Sequence, residues 1–139
     1  MKRTSNIKWP NGLKRTKTRE SVLSVLLDSH SPLSALEIFS EIENRGDSIW
    51  LSTVYRVLDA FVENGLVSKT AVLNNEITLY DIKQSGHKHY AVCVDCHKII
   101  TMENCPMDDF KPRFADEDID IIGHKVEIYG YCKDCKRKE

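Results

Sequence analysis

The fold is decided where the hydrophobic period changes, in residues 52–82, which read STVYRVLDAFVENGLVSKTAVLNNEITLYDI. The first part of this stretch repeats apolar residues at the spacing of one helix face, namely Val54, Val57, Leu58 and Phe61. Asn64-Gly65 then stands where a helix C-cap is expected. Beyond it the period falls to two, and apolar, β-branched runs at 66–72 and 77–80 flank an Asn74-Asn75 turn. This order predicts a helix followed directly by a β-hairpin.

Two more helices are predicted before this stretch. The first covers 18–29, starts near Thr16 or Thr18, and has an apolar face of Val22, Leu23, Leu26 and Leu27. The second follows Pro32, where Ser34 and Glu37 form a capping-box pair. Its apolar face is Ala35, Ile38, Phe39 and Ile42. Ser52-Thr53 is the predicted cap of the third helix. Three helices and a hairpin are the order of a winged-helix domain, preceded here by a mobile arm over residues 1–17.

The composition shifts to Cys and His after a candidate linker at 84–86. Strand-like runs follow at 90–93, 98–102, 119–122 and 126–131. A short helix is expected at 107–115, limited by Pro112. This second region is therefore predicted to be a small β-rich domain with little core of its own.

Four of the five cysteines form two CxxC pairs, Cys93-x-x-Cys96 and Cys132-x-x-Cys135, while Cys105 is left over. A CxxC turn places both sulfurs on one side of a tight loop, so two such turns can supply four thiolates to one tetrahedral zinc ion. The alternatives are four buried, unligated cysteines and a thioredoxin-like dithiol. The dithiol is disfavoured because neither pair begins a helix in a βαβ unit. We therefore predict a structural Zn site that contributes to folding.

The histidines form a second constellation. His87-x-His89 alternates along an extended segment, so both imidazoles project on one face of the chain. His124 precedes another strand, and Asp108 or Asp109 could complete a site with three nitrogens and one oxygen for Zn, Fe or Mn. The competing interpretation is that these are surface histidines in loops.

Charge is distributed unevenly although the formal net charge is only -1. Residues 1–19 contain seven Lys and Arg and no acid, whereas residues 103–120 are rich in Asp and Glu. Thr53, Tyr55 and Arg56 lie near the start of the third helix, where a helix-turn-helix protein places its base-contacting side chains. Lys14, Arg15 and Arg19 can neutralise phosphates nearby. The N-terminal domain is therefore predicted to bind double-stranded DNA.

Several functional classes are disfavoured by the sequence. Apolar runs are only a few residues long and no apolar segment follows Met1-Lys2-Arg3, so we expect a cytoplasmic protein without a membrane partner. An HxE or HExxH motif is absent from the sequence, so we expect neither an enzyme nor a small-molecule substrate. A zinc ribbon that binds other proteins without contacting DNA remains an alternative, although it leaves the basic N-terminus unexplained.

Together these residues resemble the ferric uptake regulator (Fur) family of metal-dependent bacterial repressors. Residues 52–58 match the family's recognition-helix signature, the two CxxC pairs match its structural zinc site, and residues 123–130 match the strand before the second pair. The resemblance covers roughly residues 10–135. It implies an α+β chain with an N-terminal winged-helix DNA-binding domain at 1–83 and a C-terminal α/β dimerisation domain at 84–139 with a four-cysteine zinc site. Such a protein acts as a homodimer on palindromic operator DNA.

The resemblance also implies a second metal site, made of His87, His89, Asp108 and His124. Family members often use a further site with histidines five and three positions before the first cysteine, where this chain has Lys88 and Tyr90. Asp81 occupies the place of another family ligand. Its usual histidine partner is replaced by Pro32, so that site is absent, incomplete or completed by another group such as His30.

The sensed metal is predicted to be zinc. Residues 103–108, ENCPMD, resemble the zinc uptake regulator (Zur) branch of the family, as does the form of the strand at His124. The iron-responsive branch is the second possibility. A peroxide-responsive regulator is disfavoured because its iron site needs the histidines that Lys88 and Tyr90 replace.

Overall fold

The computed structural model describes residues 7–83 and 88–136. It divides into two compact units, Met1–Gln84 and Ser85–Glu139. The first unit contains three helices and a hairpin, and the second contains a small sheet. The chain therefore has the mixed α+β architecture that its sequence predicts.

Three helices open the first unit: α1 (Lys17–Asp28), α2 (Ala35–Asn44) and α3 (Leu51–Glu63). The Thr16 hydroxyl caps α1 by accepting from the backbone N–H of Arg19 at 3.2 Å. Ser34 and Glu37 form the predicted capping box at the start of α2. Helix α3 ends as predicted at Asn64-Gly65, where Gly65 adopts a φ of 74°.

The start of α3 differs from the prediction. The helix begins at Leu51 with Trp50 at the N-cap, and Ser52-Thr53 lies inside the first turn. The Trp50 carbonyl accepts from the N–H groups of Thr53 and Val54 at 3.0 and 3.1 Å. Because of these backbone bonds, the helix begins before Ser52 and Thr53, whose hydroxyls suggested a cap. The Trp50 side chain makes no capping hydrogen bond.

The hairpin pairs β1 (Val67–Val72) with antiparallel β2 (Ile77–Ile82) in the register Val67↔Ile82 to Val72↔Ile77. Leu73, Asn74 and Asn75 all have positive φ in the connecting turn, which asparagine tolerates better than most residues. An isolated bridge joins Leu33 to Tyr80 and ties the segment before α2 to the hairpin.

The first unit buries one apolar core between the helices and the hairpin. Its fully buried side chains include Val22, Leu26, Ile38, Leu58 and Phe61, which come from the helix faces that the spacing predicts. The faces of all three helices therefore meet in one cluster, and this packing holds α3 in place with its opposite side exposed.

The segment before α1 is not the mobile arm that the sequence suggested, at least from residue 7 onward. Ile7, Trp9 and Leu13 pack against the helical core. The Trp9 ring meets Phe61 edge-on at 5.8 Å, and its Nε1–H donates to the Leu13 carbonyl at 2.6 Å. A half-buried aromatic anchor outweighs the local Pro and Gly content that predicted a mobile segment.

The second unit is built on a three-stranded sheet of order β4-β3-β5, with β3 (Tyr90–Cys93), β4 (Ile99–Thr101) and β5 (Glu127–Gly130). Strand β3 runs antiparallel to β4 and parallel to β5. All three strands fall within predicted runs.

Two other predicted elements of this unit are wrong. Only a short 3-10 helix (Pro106–Asp108) forms in the region 107–115. Pro112 lacks an N–H and restricts the residue before it, which explains why no longer helix follows. Residues 119–122 have no regular structure, and Ile119, Ile121 and Ile122 are exposed. A strand needs a pairing partner, and the three-stranded sheet offers none to residues 119–122.

Among residues 7–83 and 88–136, no helix combines the length and apolar character required to cross a membrane.

Candidate metal centres and nucleic-acid interface

The two CxxC pairs converge into one group of thiols, which we call the four-cysteine cluster: Cys93, Cys96, Cys132 and Cys135. Their sulfurs all lie within 4.8 Å of one another, and those of Cys96 and Cys132 are 3.7 Å apart. A tetrahedral zinc ion with bonds of about 2.3 Å places neighbouring sulfurs about 3.8 Å apart. The donor set and its spacing therefore fit Zn²⁺, and three of the four side chains are buried.

The backbone of the two turns stabilises the thiolates of Cys93 and Cys132. Backbone N–H groups of Cys96 and Cys132 donate to the Cys93 sulfur and lower the pKa of Cys93 to about 6. The N–H of Cys135 similarly lowers the pKa of Cys132. Burial raises the pKa of Cys135. Thiolates stabilised by peptide N–H groups are the form that binds metal.

A second group of potential ligands, which we call the His-Cys-His cluster, contains His89, Cys105 and His124. The two Nε2 atoms are 3.2 Å apart, and the Cys105 sulfur lies 3.3 Å from His89 Nε2 and 3.2 Å from His124 Nε2. His89 is buried, Cys105 is half-buried and His124 is exposed. The cluster is thus anchored in the unit but open to solvent on one side.

The carboxylates predicted for the second site are placed differently from the two histidines. His87 lies outside the described residues. Asp108 and Asp109 are exposed, and neither belongs to the group of atoms that converge on His89. Cys105 stands there instead. Its position in the turn before the 3-10 helix, as the one cysteine outside the CxxC pairs, was the signal in the sequence that could have identified it.

The remaining candidate ligands do not join either cluster. Asp81 is buried on β2, where its carboxylate accepts from the N–H of Ile82 at 2.9 Å. Lys88 is exposed and Tyr90 is half-buried at the start of β3. The described residues contain two groups with the composition of a metal site, and neither includes Asp81 or His30.

A groove on the first unit gathers most of the predicted DNA-binding residues. It has a volume of about 360 Å³ and runs between the start of α1 and the start of α3, lined by Lys14, Thr16, Thr18, Arg19, Thr53, Arg56 and Val57. The Arg19 guanidinium donates to the Lys14 carbonyl at 2.6 Å, which holds the two basic residues together. The structure therefore places basic side chains beside the exposed side of α3.

Arg15 and Tyr55 lie outside the lining of this groove. The Arg15 guanidinium stacks over the Trp9 ring at 4.7 Å and pairs with Glu20 at 3.3 Å. Tyr55 is exposed on α3. Trp50, at the N-cap of the same helix, is 80% exposed.

Comparisons with known proteins agree with this geometry. Residues 10–129 match the model of the Ferric uptake regulator family. The peroxide-responsive repressor PerR of Staphylococcus epidermidis is 30% identical over 129 residues, which cover 91% of this chain and 84% of that protein. The peroxide operon regulator of Bacillus subtilis is also 30% identical over 129 residues, with coverage of 92% and 88%.

Solved structures give the same result. The ferric uptake regulator of Francisella tularensis with iron superposes with a TM-score of 0.77 at 27% identity, covering 93% of this chain and 98% of that chain. The Helicobacter pylori ferric uptake regulator, described as having three functional metal binding sites, gives a TM-score of 0.72 at 27% identity, with coverage of 93% and 86%. Fold, cysteine cluster and family match coincide: the chain belongs to the ferric uptake regulator family of metal-responsive transcriptional regulators.

Proposed function

We propose that this protein is a metal-dependent repressor that binds palindromic operator DNA as a homodimer when zinc occupies its second metal site. The observation that carries the proposal is the presence of two separate ligand clusters in one unit. One is suited to hold a permanent structural ion, and the other is open to solvent, as an exchangeable site must be.

The four-cysteine cluster serves as the structural zinc site. Four thiolates close the coordination sphere of Zn²⁺ and leave no position for a substrate or for rapid exchange. The second unit has few buried apolar side chains besides these cysteines, so metal binding supplies folding free energy that its core cannot.

The second site contains His89 and His124, with His87 and Asp108 as further candidate ligands from the sequence. His89 follows the segment that connects the two units, and His124 leads into β5. A metal bound by both fixes the start of the C-terminal unit. We propose that this biases the two DNA-binding units of a dimer toward the spacing of two half-sites.

DNA recognition is assigned to the exposed side of α3 and the groove beside it. Lys14, Arg15 and Arg19 neutralise phosphates, which provides affinity independent of sequence. Thr53, Tyr55 and Arg56 lie in the first turns of α3, the part of a recognition helix that reaches base edges.

The homodimer is supported by apolar side chains that the single chain leaves uncovered. Phe110 and Phe114 are exposed, as are Ile119, Ile121 and Ile122. Strand β5 is an edge strand whose Tyr129 is also exposed. Apolar surface and an open strand edge of this kind mark an interface. A second copy of the chain is the partner that we propose.

Two other regulators of this family are the alternatives. The peroxide-responsive relatives favour a response to peroxide, but Lys88 and Tyr90 occupy the positions where such a site needs histidines. An iron-responsive regulator is the stronger alternative, because imidazole ligands accept iron as well as zinc. A zinc-ribbon protein that does not contact DNA is disfavoured by the basic groove beside α3.

The test is selection of bound duplexes from a random DNA library with added Zn²⁺, Fe²⁺ or Mn²⁺, and with a chelator. We expect zinc to enrich one palindromic sequence bound by two chains. Enrichment only with iron would show that the protein responds to iron and not to zinc. No enrichment under any condition, with both metal clusters loaded, would contradict the repressor function.

A further inference from the structure

We infer that Cys105 is the third ligand of the second metal site, so that the ligands among the described residues are two imidazoles and one thiolate. This inference deepens the proposed function and rests on it, since it concerns the same site. In this site a thiolate takes the place of the carboxylate that the sequence predicted, and this changes which metals the site prefers.

The sheet topology brings the three ligands to one end of the second unit. Because β3 and β5 are parallel and Tyr90 pairs with Glu127, the residues just before both strands lie at the same end of the sheet. Because β4 is antiparallel and Thr101 pairs with Tyr90, β4 also ends there. His89 and His124 precede β3 and β5, and Cys105 follows β4, so three different segments meet. The cluster is thus fixed by strand register.

The turn that carries Cys105 is itself anchored. The N–H of Met102 donates to the His89 carbonyl at 2.9 Å, which ties the exit of β4 to the residue that bears the first imidazole. The Cys105 carbonyl accepts from the N–H of Asp108 at 3.0 Å and starts the 3-10 helix. Cys105 therefore lies at the start of that helix, whereas Asp108 is its last residue and is exposed.

Hydrogen bonds alone cannot satisfy the three contacts of the cluster. An imidazole Nε2 of a neutral ring carries either one hydrogen or one lone pair, never both. If His89 donates to His124, the single lone pair of His124 is taken and cannot also accept from the Cys105 thiol. At most two of the three close contacts can be hydrogen bonds, whichever tautomers are chosen. A cation that accepts a lone pair from each atom satisfies all three.

The spacing of the three atoms fits a tetrahedral metal. With bonds of about 2.0–2.1 Å to nitrogen and about 2.3 Å to sulfur, neighbouring ligands of zinc lie about 3.4–3.6 Å apart. The three separations here are 3.2–3.3 Å, a few tenths of an ångström shorter. The three described ligands leave a fourth position, for which His87 is the candidate from the sequence, and the exposed His124 gives access from solvent.

The thiolate determines the metal preference. A carboxylate with two imidazoles suits Fe²⁺ or Mn²⁺, whereas a thiolate selects zinc and other thiophilic ions. Zinc also forms stronger complexes than Mn²⁺ or Fe²⁺ with any ligand set of this type, so the thiolate increases an existing difference in affinity in favour of zinc. The chemistry of this chain's own ligands thus favours a zinc-selective site.

The experiment uses the full chain with zinc in its four-cysteine cluster, titrated with Co²⁺ in the absence of DNA. Cobalt reports a thiolate ligand by a charge-transfer absorption, and it binds less tightly than zinc, so it does not displace the first ion. Zinc content is measured before and after. The variants are Cys105→Ser, Cys105→Asp and Asp108→Asn, the last of which tests the carboxylate ligand that the sequence predicted.

We expect the wild type to take up one cobalt per chain with a thiolate band, and Asp108→Asn to keep that band. Cys105→Ser should lose the band and bind the second metal at least about a hundredfold more weakly, since even residues behind the ligands cost 10–100-fold when changed. Cys105→Asp should retain a site with a smaller preference for Zn²⁺ over Mn²⁺.

The inference is overturned if the wild type shows no thiolate band at the second equivalent, or if Cys105→Ser keeps it. It is also overturned if Asp108→Asn abolishes second-site binding while Cys105→Ser preserves it. Because no DNA is present, these outcomes are independent of repression. Operator binding that responds to zinc without a thiolate band would preserve the proposed function and reject this ligand.

Discussion

Tyr90 of β3 pairs in parallel register with Glu127 of β5, and this pairing brings the two histidines to one end of the sheet and the two CxxC pairs to the other. The residues that precede the two strands carry the histidines, and the residues at and beyond their ends carry the thiols of the four-cysteine cluster. His89 and Cys93 are four positions apart along the strand, which separates the two clusters by about 13 Å. A single short sheet thereby holds two sites of different chemistry at its two ends.

The four-cysteine cluster should be essential for the folded second unit. Cys96→Ser removes one of four thiolates from a closed site, so we expect loss of zinc and loss of the dimer. Metal content and sedimentation measure both effects. Cys105→Ser is the matched control, since it removes a thiol outside the cluster, and it should retain one zinc per chain. A Cys96→Ser protein that keeps its zinc stoichiometry and its dimer would show that the cluster is not the structural site.

The winged-helix core should depend on α3 far more than on the exposed side of α2. Leu58 is 0% exposed and Leu36 is 59% exposed, and both are helical leucines. We expect Leu58→Ala to lower the free energy of unfolding of the first unit by about 2–5 kcal/mol. Leu36→Ala should change it by less than about 0.5 kcal/mol. Denaturant titration monitored by Trp fluorescence measures both variants, and equal effects would contradict the assigned core.

The two classes of DNA-binding residue should behave differently. Arg15→Ala should weaken binding to operator and random duplexes alike and reduce the salt slope by about one. Tyr55→Ala should chiefly reduce preference for the operator, by about 1–3 kcal/mol. Binding measured over a series of salt concentrations separates these effects. Equal losses on both duplexes for both variants would contradict the division between phosphate and base contacts.

The capping box of α2 provides a test of local structure. Ser34 accepts from the N–H of Glu37 at 3.2 Å, and Glu37 accepts from the N–H of Ser34 at 2.9 Å. Ser34→Ala should cost about 1 kcal/mol of unfolding free energy in the first unit. Ser40→Ala, on a later turn of the same helix, is the control and should be nearly neutral. No difference between the two variants would show that the cap adds nothing.

Local signals predicted the first unit well because its elements are long and periodic. The face of Val54, Leu58 and Phe61 is buried as expected, and Gly65 ends α3 with the positive φ that its position requires. The exceptions involve tertiary contacts. Trp9 anchors a segment that looked loose, and the Trp50 backbone starts α3 ahead of the expected hydroxyl cap. Neither contact can be derived from spacing along the chain.

The second unit was less predictable because its order depends on metal ligands and pairing rather than on periodicity. The CxxC spacing identified four ligands that the fold assembles into one cluster. The apolar run at 119–122 predicted a strand, but no strand of this sheet pairs with it. The convergence of Cys105 with His89 and His124 needs the register of three strands, which the sequence alone does not provide.

The central claim is that metal bound by His89 and His124 controls binding to the operator. A hundredfold response requires only about 2.7 kcal/mol of differential affinity between the free and DNA-competent states. The most direct measurement is the operator Kd of wild type, His89→Ala and His124→Ala with added zinc and with a chelator too weak to remove the structural ion. His30→Ala is the matched control. We predict that both cluster variants remain zinc-containing dimers but lose the response to added zinc, while His30→Ala keeps it. Full zinc-responsive binding by both His89→Ala and His124→Ala would contradict the claim.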